Sequence, residues 1–284
     1  MTSQTTLTPQ GSTNNPRNQF DDEIDLLALL GTLWESKSII AASTILFMVL
    51  GVSYALLATP IYRANAVVQV EEKSPGLPGM SDVTEMFGGE SAAVTEIELL
   101  KSRTVIGTAV DELHLDIIIE PNYFPLFGST IARHFSHAND GLNPPLLGFS
   151  ANAWGGEFIA VSQFDVPATQ YNEVHTLVVG ESGSYTLLSP DEEAILSGTV
   201  GQATTAPGYA LFIGELRARP GTEIFLTKLR RLNAIINLQE ALGASERGKE
   251  SGIIALSLDD SDPNHAEDIL NVVARTYLRQ NVER

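Results

Sequence analysis

The chain is predicted to be an α+β domain interrupted by a β-sandwich-like module and preceded by one transmembrane helix. Three observations predict it. An uncharged apolar run of 22 residues, Ser38 to Thr59, lies near the start. Two segments that alternate apolar and polar residues, 61–72 and 252–260, lie far apart, each beside a helix-patterned stretch. Between them, from about 121 to 222, short β-rich runs are separated by Gly, Pro, Ser and Asn.

Composition narrows the classes. The chain has 284 residues, 43% of them hydrophobic and 18% charged, which suffices for a packed core. The formal charge is −18, from 35 acidic and 17 basic residues. That balance argues against nucleic acid as a partner, because phosphate backbones demand clustered Lys and Arg. There is no cysteine, so disulfides, thiolate metal sites and a Cys nucleophile are all excluded.

Residues 1–19 are Thr, Gln, Asn, Ser and Pro with few apolar side chains, and read as a disordered tail. Residues 20–37 follow as an amphipathic juxtamembrane helix. Asp21 or Asp22 caps it, and Ile24, Leu27, Leu30 and Trp34 recur every three or four positions. The span at 38–59 is carried by Ile39, Ile40, Ile45, Leu46, Phe47, Val49, Leu50, Val52, Leu56 and Leu57. About 20 apolar residues are needed to cross about 30 Å of hydrocarbon. Trp34 and Lys37 on one flank, and Pro60, Tyr62 and Arg63 on the other, are interfacial residue types. Acidic residues 21, 22, 23 and 25 before the run argue against a cleaved signal peptide. Basic residues are too evenly divided between the flanks for the positive-inside rule to orient the span.

Beyond the span, Tyr62, Ala64, Ala66, Val68 and Val70 fall on one face of a strand. Residues 73–89 form a Pro- and Gly-containing loop. Residues 91–115 are helical, with a stripe from Val94 to Leu113 and a break near Ser102. In the β-rich stretch, 157–166, 173–180 and 184–189 are strands, the last two joined through GESGS. Residues 223–243 are mixed and then helical, closed by Gly243. Residues 252–260 return as a strand that shares a sheet with 61–72. Asp262 and Pro263 then start a helix whose stripe is Ala266, Ile269, Leu270, Val273 and Tyr277. This helix has no C-cap before Arg284, so the chain is expected to continue past it.

No catalytic, cofactor-binding or metal-binding residue is assigned. GASERGK, Gly243 to Lys249, has the spacing of a phosphate-binding loop. However, Glu250 stands where a hydroxyl should reach magnesium, and a helix precedes the motif where a strand should. It reads as a polar connection. His134 and His137, near Arg133 and Asp140, lack the third and fourth ligands of a metal site and read as surface residues. Arg217, Arg219, Lys228, Arg230 and Arg231 form the densest basic patch and read as a solvated face. An alternative places a sugar platform on Trp154, Phe158 and nearby carboxylates of a membrane-anchored glycan-modifying or glycan-binding protein. Aromatic residues in β runs are more often core.

Several blocks in order carry a family resemblance. DDEIDLLALLGTLWESKSIIAAS, the span, IYRANAVVQVEE and EIELLKSRTVIGTAVDELHLDI resemble the Wzz domain of polysaccharide chain-length determinants, or co-polymerases. EPNYFPLFG, HTLVVGESGSYTLL, RARPGTEI, INLQEALGASERGKESGIIALSLDDSDP and ILNVVARTYLRQNVER resemble the Wzc-like branch fused to a bacterial tyrosine kinase. The resemblance covers residues 20–284 and implies the following expectations. The chain sits in the bacterial inner membrane, with its amino terminus cytoplasmic and residues 60–284 forming a periplasmic α+β domain. It assembles as a homo-oligomeric ring, an octamer by family, with a polysaccharide polymerase and an outer-membrane export channel as partners beside the lipid bilayer. It scaffolds and regulates chain length and export of capsular or extracellular polysaccharide. The second span and kinase domain of that branch lie outside the chain, so ATP and Mg are expected only there. The kinase-less chain-length determinants are the remaining alternative, and the β module argues against them.

Overall fold

The computed structural model describes residues 31, 33–69, 92–136, 141–248 and 251–282. The tail at 1–19, most of the juxtamembrane helix, Val70, the 73–89 loop, His137, Asp140, Lys249 and Glu250 lie outside the described residues. The chain divides into two units, Met1–Ala55 and Leu56–Arg284.

Helix α1 (Lys37–Leu57) lies mainly in the first unit and contributes Leu56 and Leu57 to the second. At about 1.5 Å per residue, its 21 residues reach about 32 Å. None of its side chains is buried against protein. Ser43 and Thr44 hydroxyls donate to the Ile40 carbonyl, which hides their polarity within the helix.

The second unit begins with strand β1 (Tyr62–Gln69). Helices α2 (Ala92–Leu100) and α3 (Arg103–Glu112) follow, and the break between them is a capping site: Ser102 Oγ accepts from the Val105 amide at 3.4 Å. After them come strand β2 (Ile117–Pro121) and helix α4 (Gly128–Ser136). Seven strands then occur in succession: β3 (Phe158–Asp165), β4 (Val174–Val179), β5 (Ser184–Leu188), β6 (Ala194–Thr199), β7 (Thr204–Ala206), β8 (Tyr209–Arg217) and β9 (Glu223–Lys228). The chain closes with α5 (Arg231–Ala241), β10 (Gly243–Glu246), β11 (Ile253–Asp260) and α6 (Pro263–Val282).

The two distant alternating segments do pair. β1 runs antiparallel to β11, with Tyr62 opposite Asp260 and Gln69 opposite Ile253. The third strand of this sheet is β10, which pairs with β11 on its other edge. Gly243–Glu246, the first four residues of GASERGK, therefore form a strand antiparallel to β11. Helix α5 ends at Ala241, and Gly243 opens the strand instead of closing the helix. Helices α2, α3, α5 and α6 cover the sheet through one apolar cluster that includes Val68, Ile106, Val110, Ile235, Ile254, Leu256, Leu270 and Val273. Burying a side chain of this kind stabilises by about 1.5–3 kcal/mol relative to leaving it exposed. Pro263 opens α6, and Asp262 Oδ1 accepts from the Asn264 amide at 2.9 Å, the start expected from the Asp-Pro pair.

The β-rich part is wider than 121–222. A five-stranded antiparallel sheet runs β2-β9-β4-β5-β6, so residues 117–121 and 223–228 bound it. A three-stranded sheet runs β3-β8-β7. Both contribute to one buried cluster: Leu177, Val179, Tyr185, Leu187, Ile224 and Leu226 from the first, Val161, Phe164, Leu211 and Ile213 from the second. Residues 181–183, within GESGS, form a turn between β4 and β5.

His175 lies within this cluster and is fully buried. Its Nδ1 lies 3.2 Å from the Glu173 carbonyl, and its ring meets Phe164 and Tyr209 edge-on. Burial pushes its pKa below the ordinary imidazole range, opposed by the Glu173 carbonyl. The unfolded chain takes up this proton near pH 6.5, whereas the folded chain resists it until lower pH. Stability present above about pH 6.5 is therefore lost as pH falls from there toward the folded value. His175→Asn keeps a group able to meet the Glu173 carbonyl and removes the titration. Denaturant midpoints at pH 7.5 and 5.5 are expected to differ less in this variant than in the parent. Equal differences would remove His175 from the acid sensitivity.

Candidate functional site

The ten residues assigned to the span all lie on α1 and are exposed or half-buried in the protein alone. Phe47 is 70% exposed, Leu46 58% and Leu50 55%, so the helix is apolar and uncovered by protein on all sides, long and apolar enough to cross a membrane. Lys37 Nζ lies 5.6 Å from the Trp34 ring centre at its start.

Leu57, the last residue of α1, belongs to the second unit. The Leu57 carbonyl is one of the four that end an α-helix without an intrahelical partner. Thr130 Oγ1 and Arg133 Nη2 both lie 3.5 Å from it, and the guanidinium also complements the negative end of the helix dipole. Arg133 further donates to Thr130 Oγ1 at 3.2 Å.

Next to α4 sits an aromatic cluster. Phe124 lies between Phe127, Phe149 and Trp154, with ring centres 4.8, 5.1 and 5.7 Å away. Trp154 is fully buried and its Nε1 donates to the Phe149 carbonyl at 2.9 Å. It cannot offer a face to a sugar, so the core reading of this residue holds and the platform reading fails for it. Phe158 is 47% exposed, at the start of β3.

Arg219 and Glu157 hold this region to the strands. Glu157 accepts from the Trp154 amide at 3.0 Å and the Gly155 amide at 2.6 Å. Arg219 reaches Glu157 and the Asn152 carbonyl at 3.2 Å each, and also donates to the Asn143 carbonyl. Their side chains are 17% and 3% exposed. Gly156 permits the close approach: its φ is +86°, and a Cβ there would lie 2.1 Å from the Gly141 carbonyl oxygen.

Arg219 corrects the reading of the basic patch as a solvated face. Lys228 is also largely buried and meets Asp116 at 2.6 Å. Arg231 forms a two-pronged bond to Asp111 at 2.7 Å each, holding that carboxyl below the usual carboxylate range. Arg230 lies over the Tyr171 ring at 6.0 Å. These cations are distributed among separate structural partners. Adjacency in sequence carried no signal of that, because each partner lies more than 50 residues away.

An open groove of about 410 Å³ lies between β1 and α6, lined in part by Tyr62, Arg63, Asn65, Glu267 and Asn271. Arg63 is bonded across the sheet to Asp259 at 2.6 and 2.7 Å, which lowers the pKa of that carboxyl. The groove offers hydrogen bonds but no paired acid and base. His134 Nδ1 meets the Thr130 carbonyl at 2.9 Å. Among the described residues, no three His, Cys, Asp or Glu come together to hold a metal. Glu246 Oε1 accepts from the Ser251 and Gly252 amides, joining the end of β10 to the start of β11.

Residues 22–113 match the family described as chain length determinant protein. Residues 117–229 match the family described as tyrosine-protein kinase Wzc, N-terminal domain. Their common boundary falls between α3 and β2, where the β-rich part begins. Tyrosine-protein kinase etk of Escherichia coli K12 is 39% identical over 287 residues, which cover 100% of this chain and 36% of that protein. Tyrosine-protein kinase wzc of Salmonella typhimurium is 34% identical over 264 residues, 93% of this chain and 34% of that protein. The chain thus spans about a third of the length of these curated relatives. Two crystal forms of Xanthomonas campestris FlgL align at 10% and 12% identity with TM-scores of 0.21 and 0.20, too low to bear on the fold. The first alignment covers 57% of this chain and 41% of FlgL, the second 70% and 74%.

Proposed function

We propose that this chain, which carries a chain-length-determinant domain followed by a Wzc-type amino-terminal domain and is homologous to the Etk and Wzc kinases, is the membrane and scaffold part of a polysaccharide co-polymerase. The observation that carries the reading is the order of the two domains along one chain with an apolar helix at its start. A chain-length determinant without a kinase would not call for the second match.

On this reading α1 anchors the chain in the bacterial inner membrane, with residues before it cytoplasmic. The α+β domain and its sandwich-like module are periplasmic. Copies assemble as a ring, an octamer by family, beside the polymerase and the outer-membrane export channel. The domain transmits the state of the ring across the span and sets polysaccharide length and export. Gly243–Glu246 is the strand β10, which supports the reading that ATP and Mg²⁺ would be held by the remainder of the protein.

The test is made in the source cells. An antibody against residues 60–284 is expected to detect a phosphotyrosine-bearing protein well above the 30.6 kDa of this chain. Deleting the gene should abolish or redistribute the lengths of surface polysaccharide. A phosphotyrosine-free band at 30.6 kDa would remove the kinase link. An unchanged polysaccharide length profile would remove the co-polymerase reading.

A further inference from the structure

The two sheets of the β-rich part meet through one histidine. His175 belongs to β4 of the five-stranded sheet, while the two rings that it meets edge-on, Phe164 and Tyr209, belong to β3 and β8 of the three-stranded sheet. Their centres lie 5.5 and 5.7 Å from the imidazole. A carbonyl can only accept, so Nδ1 carries the proton that faces Glu173, and Nε2 of the neutral ring is a bare nitrogen. That nitrogen is buried and meets no hydrogen-bond partner among the described residues.

The neutral ring suits this place and the cation does not. Protonation puts a second N–H on Nε2, between two sheets where no acceptor waits, and a charge among apolar side chains. The surroundings do not compensate it. β3 presents Phe164, β9 places Leu226 opposite His175, and β5 pairs with β4 from Thr176 onward. Tyr209 on β8 is a neutral phenol whose pKa burial pushes up. Glu173 is the charged residue that acts on the ring, and its carbonyl is already engaged by Nδ1. Elsewhere the sheets are joined without charge. Tyr185, opposite Val179 at the far end of β4, meets Thr204 of β7 through hydroxyls 3.3 Å apart. The α+β domain has its own apolar cluster. Among the described residues, His175 is the one buried side chain of a type that titrates between about pH 5 and 8.

We propose that His175 is an acid-operated catch between the sheets: on taking up a proton it parts β3 and β8 from the five-stranded sheet, while the α+β domain stays closed. The direction follows from linkage. In the parted state the imidazole is solvated and binds its proton near pH 6.5, whereas burial in the closed state holds it back to lower pH. Parting is therefore suppressed above about pH 6.5. Below that it gains up to about tenfold for each pH unit, until the closed state also takes up the proton. The device is built into the module and does not depend on the membrane reading.

Hydrogen exchange of the full-length protein, read by mass spectrometry at pH 7.5 and 5.5 and corrected for the intrinsic chemical rates, tests the catch. Exchange in β3 and β8 is expected to rise about tenfold at pH 5.5, with β11 and α6 unchanged. His175→Phe keeps an aromatic ring and His175→Asn keeps a group for the Glu173 carbonyl. Neither titrates, so each should abolish the rise. A rise that survives in either folded variant overturns the proposal. So does equal exchange at the two pH values in the parent. A rise that extends to β11 and α6 also overturns it, because acid then unfolds the whole domain together. Should one variant fail to fold, the other variant and the parent still decide.

Discussion

Glu157→Ala is expected to lower the stability of the β-rich part by about 3–5 kcal/mol. The cost arises on both sides of the ion pair. Arg219 would keep its burial but lose its counter-charge, and the Trp154 and Gly155 amides would lose their acceptor. A buried charge left unpaired costs more than the pair contributes when intact. Replacing both partners, Glu157→Leu with Arg219→Met, should therefore cost less than the sum of the single changes. Denaturant unfolding followed by Trp154 fluorescence in a Trp34→Phe background gives all corners of the cycle. Additive single and double effects would mean the two groups act independently, against the 3.2 Å contact between them.

Leu50→Arg should expel or displace α1 from the bilayer, at an insertion cost of about 2.5–3.5 kcal/mol for a mid-helix Arg. Among the described residues no neighbouring side chain offsets that charge, since no residue of α1 is buried against them. Leu50→Ala provides the control, as it removes apolar surface without adding charge. Carbonate extraction of membranes should release a substantial fraction of the Arg variant and little of the Ala variant. Equal retention would place Leu50 away from the hydrocarbon core. The anchor of the proposed co-polymerase depends on this placement, because a domain free in solution could not couple one side of the membrane to the other.

Much of the α+β domain was legible because its elements are locally periodic. Ala64, Ala66 and Val68 share one face of the strand, opposite Arg63, Asn65 and Gln69, and the strand does turn that face inward. Ala266, Ile269, Leu270, Val273 and Tyr277 repeat at helical spacing, and all five are buried on α6. Ser102 announced a break that proves to be an N-cap. The pairing of β1 with β11 was also readable, since two half-buried strands bounded by helices need a common sheet to cover. Misreadings occurred where a residue's role depended on a distant partner. Arg219 and Lys228 looked like solvated cations until their carboxylates, Glu157 and Asp116, were seen beside them. Trp154 looked available to a sugar until Phe124 and Phe149 were seen packed around it.

Gly243 shows the same limit at the level of backbone. A glycine after a helical stripe is a good C-cap signal, yet the chain continues at once into β10. What overrides the local preference is the open edge of β11, whose amides and carbonyls gain partners if residues 243–246 lie extended beside them. The sequence by itself determined the apolar helix, the alternating strands, the striped helices and the family order of the two domains. Each of these is a short-range pattern, set by residues within a few positions of one another. Only the tertiary structure decided which charges are buried as pairs, which rings pack around Trp154 and how β10 pairs with β11. Those outcomes rest on contacts between residues far apart along the chain, whose energies depend on burial and distance that no local spacing encodes.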